Sequence, residues 1–251
     1  MTASHWREYV AEAAALGLFM LSAACFTVLL EHPASPARAA LPDDLLRRAV
    51  MGAAMGATAA AIIYSPLGAR SGAHMNPSVT LAFLRLGRLG PRDAAAYIVA
   101  QVVGAWLGTW LASGLLGELF ADMHVNFVQT LPGAAGVGAA AAGELVISFL
   151  TLLTLLAVSA RPATMRATGL VAGLIVMTNI VVEAPLSGMS MNPARSLGPA
   201  LVAGHFSHLW IYLIVPPIGM LLAAEVHRRL ATGGCAKLNH SARVRCIFCQ
   251  A

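Results

Sequence analysis

Two short stretches carry the side chains whose chemistry stands out. Ser71-Gly72-Ala73-His74-Met75-Asn76-Pro77-Ser78 returns as Ser187-Gly188-Met189-Ser190-Met191-Asn192-Pro193-Ala194, with Ser, Gly, Met, Asn and Pro matched. Asn is a preferred helix N-cap, and Pro fits the first helical position, where its missing N–H costs nothing. Asn76-Pro77-Ser78 and Asn192-Pro193-Ala194 therefore read as two helix starts. An asparagine that caps its own helix through Oδ1 still has an amide NH2 to donate. Two helix N-termini brought head to head would add a partial positive charge of about +0.5 each. Such a centre welcomes neutral molecules with lone pairs and repels cations. Arg195, three residues after Asn192, would add a full charge and further donors. Glu12 and Glu144, each in an Ala/Gly-Glu setting early in an apolar run, are suited to accept loop N–H groups. His74 reads as hydrogen-bonded scaffold in the first loop rather than as a pH gate. Glu183 is ambiguous between mouth lining, loop support and an interfacial position.

The elements that must position these groups are membrane helices. Of 251 residues, 58% are hydrophobic and only 11% charged, against about 25% charged in soluble domains. The net charge of +5 could suggest nucleic acid, but the basic residues flank apolar runs, so no nucleic-acid partner is expected. Six stretches, near 8–30, 46–67, 93–115, 137–160, 166–184 and 207–229, are long enough to span a bilayer. Two shorter ones, about 76–86 and 192–203, follow the Asn-Pro copies and can cross only half of it. Non-helical backbone at membrane depth must be buried or line a cavity. Residues 67–75 and 184–191 are such segments, expected to offer a ladder of carbonyl acceptors.

With the N-terminus inside, 12 Lys and Arg residues fall on the inner side and 4 on the outer, which places both termini in the cytoplasm. Three spans per half make the repeat inverted, halves about 6–115 and 137–230, so the two boxes enter from opposite sides and meet near the midplane. The fold expected is all-α, with six transmembrane helices plus two re-entrant half-helices, over residues 1–230. Gly52/Gly56, Gly104/Gly108 and Gly169/Gly173 are spaced four apart, as close helix packing in lipid requires.

These residues resemble the major intrinsic protein (aquaporin) family over positions 6 to about 230. The resemblance implies a pore in each subunit of a homotetramer in the cell membrane, passing water and small neutral solutes, with no cofactor. The second position after the first Asn is Ser78 where the family usually has Ala. Counting from the asparagines carries the family's selectivity filter onto Gly56, Ile180, Met189 and Arg195, the first to within about one or two residues. Water-selective members usually have Phe and His where this chain has Gly56 and Ile180. The constriction is thus expected to be wider and more apolar, with Met189 refilling part of it. Ser196 follows Arg195 where glycerol-selective members usually have Asp. The combination is most similar to the nodulin-like branch and its bacterial relatives, which implies glycerol and neutral metalloid acids among the solutes.

Inverted repeats and broken helices also suit a secondary transporter, and a non-conducting structural role is a third reading. No catalytic constellation stands out, so an enzyme is disfavoured. Cys235, His240, Cys246 and Cys249 have spacings that zinc could use, but residues 231–251 read as a disordered cytoplasmic tail, and no metal site is assigned.

Overall fold

The computed structural model describes residues 5–230 and 237–239. The chain folds as α1 (Trp6–Glu31), α2 (Pro36–Ala40), α3 (Asp44–Tyr64), α4 (Pro66–Ser71), α5 (Pro77–Arg85) and α6 (Pro91–Leu116). It continues through α7 (Glu118–Ala121), α8 (Gly136–Ser159), α9 (Thr168–Ser187), α10 (Pro193–Ala203) and α11 (Leu209–Leu230). Six of these, α1, α3, α6, α8, α9 and α11, are long and apolar enough to cross a membrane. The tail positions with the cysteine and histidine spacing lie outside the described residues.

Two expected boundaries shift for local reasons. The second span ends at Tyr64 rather than near 67, because Pro66 disfavours helical geometry at Ser65. Ser65 instead takes extended φ/ψ, and its Oγ accepts the Leu67 and Gly68 N–H groups, starting α4. The fifth span runs past 184 to Ser187, with Pro185 in its last turn.

The two halves use matched contacts. α1 packs on α6, and α8 packs on α11 in the same way. α3 and α9 join the halves, in contact along their lengths. The glycine pairs lie in these seams. A Cβ on Gly104 would stand 2.1 Å from the Ala13 carbonyl, and one on Gly108 2.3 Å from that of Gly17. Large apolar side chains such as Trp106, Trp110, Leu174 and Val182 are exposed on the outside. Polar side chains, Glu12, Gln101, Glu144 and Ser187 among them, are buried inside. That is the inside-out pattern of a chain whose solvent is lipid.

Candidate pore and constriction

Each Asn-Pro box starts a short helix as its composition demands. Asn76 is extended, and its Oδ1 accepts the Ser78 N–H at 2.8 Å to open α5. Asn192 accepts the Ala194 and Arg195 N–H groups at 3.1 and 3.2 Å to open α10. The NH2 groups then cross over. Asn76 Nδ2 donates to the Met191 carbonyl at 2.8 Å, and Asn192 Nδ2 donates to the Met75 carbonyl at 2.7 Å. The two boxes thus face each other and are tied by a reciprocal pair. One amide hydrogen of each asparagine is left over by this pairing.

The loops before the boxes are held from behind by carboxylates. Glu12 accepts the N–H groups of His74 and Met75 at 3.0 and 2.7 Å. Glu144 accepts those of Ser190 and Met191 at 2.7 and 2.8 Å. N–H and C=O of a trans peptide point in opposite directions. The Ala73, His74, Met189 and Ser190 carbonyls must therefore project away from the glutamates, toward the passage. This geometry needs left-handed backbone at Ala73, Met75, Met189 and Met191, with φ of 56, 47, 50 and 55°. Gly72 and Gly188, with φ of 85 and 80°, lead each loop in at positions where a side chain would add strain.

A second tier holds the loop entries. Tyr97 and Tyr212 donate to the Ser71 and Ser187 carbonyls, both at 2.7 Å. The Ser71 and Ser187 hydroxyls accept the Ala73 and Met189 N–H groups, both at 3.1 Å. Gln101 donates to Glu12 and to Thr80. The sequence reading did not assign these residues. The tyrosines were findable, since they follow Asn76 and Asn192 at nearly equal distances in the two halves.

A cavity of about 570 Å³ runs past the asparagines, from Glu31 and Arg48 at one end to Ile63 and Leu238 at the other. Ile180, Met189, Arg195, Asn76 and Asn192 line it, as does His74. His74 is only 2% exposed, bonded to Thr80 at 3.1 Å and stacked on Phe83. Ser78 is fully buried behind the box, and its Oγ finds no partner among the described residues. Pro77, Pro193 and Ala194 are buried in the first turns of α5 and α10 and shape them without facing the lumen.

Gly56 requires a correction: it does not line the passage. A Cβ there would sit 2.5 Å from the Gly173 carbonyl, so Gly56 faces α9 in the helix seam. The lumenal stripe of α3 is Met51, Met55, Ala59 and Ile63, four residues apart. The count from Asn76 crossed the separate helix α4, where no fixed period holds, and slipped by one residue. Met55 lines the cavity at this level instead, so this wall of α3 keeps a bulky apolar side chain. Gly56→Ala should therefore lower thermal stability by about 1–3 kcal/mol, the usual cost of overpacking, and leave the order of solute permeabilities unchanged. Met55→Ala should change the order of solute permeabilities. Because Met55 is buried, it should also cost about 2 kcal/mol or more, so the permeability order is the readout that separates the two. Thermal unfolding and flux measured on both variants check the assignment.

Arg195 donates from one guanidinium nitrogen to the Val128 carbonyl at 2.8 Å. That carbonyl ends a turn in which Asn126, Phe127 and Val128 all have positive φ, between 46 and 52°. Non-glycine residues, and valine above all, adopt this region only when their surroundings impose it. Phe127 packs edge-on to Phe120, and Asp122 accepts the His124 N–H at 2.8 Å just upstream. That backbone N–H holds the Asp122 carboxyl below its ordinary range. Nothing in the sequence signals this left-handed turn.

Glu183 is not interfacial. It is 3% exposed and faces Gly143, and among the described residues neither carboxyl oxygen has a well-formed hydrogen bond, since the nearby Ser187 hydroxyl and Met189 N–H are directed to Glu144 and to Ser187 Oγ. Among the described residues no group of His, Cys, Asp or Glu is arranged to hold a metal ion.

Comparison with known proteins agrees with this arrangement. The family model for the major intrinsic proteins matches residues 1–227. The chain is 38% identical over 180 residues to Aquaporin NIP1-2 of Arabidopsis thaliana, covering 68% of this chain and 59% of that one. It is 41% identical over 159 residues to Aquaporin NIP1-1 of Zea mays, covering 61% and 53%. The matches span about half to six tenths of these relatives' length. The aquaglyceroporin from Plasmodium falciparum superposes with a TM-score of 0.76 at 19% identity, over 90% of this chain and 97% of that one. The multi-pass helical fold, the paired boxes and the match over nearly the whole chain place this protein in the major intrinsic protein family.

Proposed function

We propose that the protein is a passive membrane channel for water and small uncharged solutes such as glycerol and neutral metalloid acids, closed to protons and ions. The observation that carries this reading is the reciprocal Asn76–Met191 and Asn192–Met75 pair beside a continuous cavity. It sets two helix N-termini against the midpoint of the passage, where a cation is repelled and a neutral acceptor is not. Rows of carbonyls on the loop side and apolar side chains opposite let a solute exchange hydrogen bonds stepwise.

Selectivity is assigned to Met55, Ile180, Met189 and Arg195. Three apolar walls and one fixed donor favour a solute with both hydroxyls and a hydrocarbon face. A coupled transporter would need a titrating group free to exchange protons with the lumen. Glu12 and Glu144 spend their oxygens on loop N–H groups, the His74 ring that reaches the cavity is bonded to Thr80 and stacked on Phe83, and Glu31 at the mouth is paired with Arg47. The chain is further proposed to sit in the cell membrane as a homotetramer, with both termini cytoplasmic.

Stopped-flow permeability of proteoliposomes to water, glycerol, urea and boric acid tests the reading, run on the full chain and on residues 1–230. Rates equal to those of empty liposomes for every solute would overturn it. Within a conducting protein, Met55→Phe with Ile180→His should reduce glycerol flux on the order of tenfold while sparing water, because pore diameter and donor count set the cutoff. Unchanged glycerol flux would remove these two residues from the filter.

A further inference from the structure

The carbonyl ladder is filled at one rung by the chain itself. Lys237, Leu238 and Asn239 are buried, at 4, 5 and 5% exposure. The Leu238 N–H donates to the Gly72 carbonyl at 2.8 Å. Asn239 Nδ2 donates to the Ile63 carbonyl at 2.8 Å. The Leu238 side chain packs among Ile63, Ala73, Leu155 and Ala172 and forms part of the cavity wall. Ile63 is the last residue of the lumenal stripe on α3, so this is one end of the passage.

Gly72 immediately precedes Ala73 and His74, whose carbonyls face the passage, and Ile63 and Leu238 both line the cavity at this end. The matching carbonyl in the other half, that of Gly188, accepts no hydrogen bond among the described residues. The pseudo-twofold relation between the halves is thus broken at one rung, and the tail supplies the difference. Ile63 lies in the final turn of α3, whose carbonyls lack helical partners, so Asn239 also completes a helix end. The isobutyl group of Leu238 brings no donor or acceptor to the opening it occupies.

We propose that the segment Lys237–Asn239 is an autoinhibitory plug, which docks in the mouth of the channel on the side of the C-terminus and closes it. The proposal rests on the channel reading above and assigns that channel its regulation. Leu238 lies eight positions beyond the end of α11 at Leu230, a reach of at most about 28 Å, which is chain enough for the segment to dock or leave while α11 stays in place.

The test compares water and glycerol permeability of proteoliposomes holding the full chain, the chain ending at Leu230, and the full-length variants Leu238→Ala and Asn239→Ala. Monodisperse elution and equal helical content check that each is folded. If the plug is docked in about nine molecules of ten, its removal raises flux about tenfold. The two point variants should fall between the full and shortened chains. A synthetic peptide of residues 231–251, added to both sides, should slow the shortened chain again. Equal, measurable flux in all four proteins would overturn the plug and leave the channel intact. Absence of flux in all four, the shortened chain included, would overturn the channel reading and the plug with it. A shortened chain that conducts faster while Leu238→Ala does not would show that the tail acts elsewhere, and would overturn the docking assigned to Leu238.

Discussion

Glu144→Ala is expected to abolish conduction and to lower stability by about 3–9 kcal/mol, since three donors lose their acceptor at roughly 1–3 kcal/mol each. The three are the Ser190 and Met191 N–H groups and the Ser187 hydroxyl. They hold the second loop in left-handed backbone that Met189 and Met191 would otherwise leave. Once released, the loop has no reason to keep the Met191 carbonyl on Asn76 Nδ2. Damage on one side of the cross-tie therefore spreads to the other. Glu144→Gln should be milder. Its remaining oxygen can still serve Ser190 and Ser187, but its NH2 then meets the Met191 N–H, donor against donor.

Glu183 supplies the control. It is also a buried glutamate at the same end of the fold, but its oxygens make no well-formed hydrogen bond among the described residues. Glu183→Gln should change stability by less than about 1 kcal/mol, because no well-formed hydrogen bond is lost. Thermal unfolding in detergent, paired with water flux, gives both readouts. Wild-type flux through Glu144→Ala would show that the loop holds its shape unaided and would discard the scaffold described here.

Arg195→Val is expected to admit cations. A guanidinium within about 4–8 Å of a passing unit charge raises its energy by about 2–4 kcal/mol at an effective dielectric near 20. Its loss should raise proton and small-cation leak by about 30- to 1000-fold, with water and glycerol flux kept or increased. Arg195 is held by the Val128 carbonyl, so the valine variant also frees that acceptor. Arg195→Lys separates the two effects. Lysine keeps the charge but not the planar fork, so ion exclusion should survive while solute preference shifts. Proton leak is read with a pH-sensitive dye trapped in the liposomes. A conducting Arg195→Val channel as tight to protons as the parent would take Arg195 out of the barrier and leave it to the asparagine pair alone.

The membrane class, the six spans and the two half-helices follow from the one-dimensional pattern. Apolar run length is set by bilayer thickness, and an Asn-Pro pair is a helix start wherever it occurs. The duplication was legible too, so Glu12 and Glu144 could be assigned to the loops before any contact was known. What the sequence left open depends on angles and on distant partners. Whether Gly56 or Met55 faces the lumen is one step of 100° around α3, and the α4 joint breaks the count from Asn76. The left-handed turn at Asn126–Val128 exists because packing and Arg195 impose it on residues that would not choose it. The docking of Leu238 on Gly72 joins positions 166 residues apart, and no local pattern encodes such a meeting. Periodicity and length decide which segments cross the membrane. Only the assembled fold decides which atoms of those segments the passage meets.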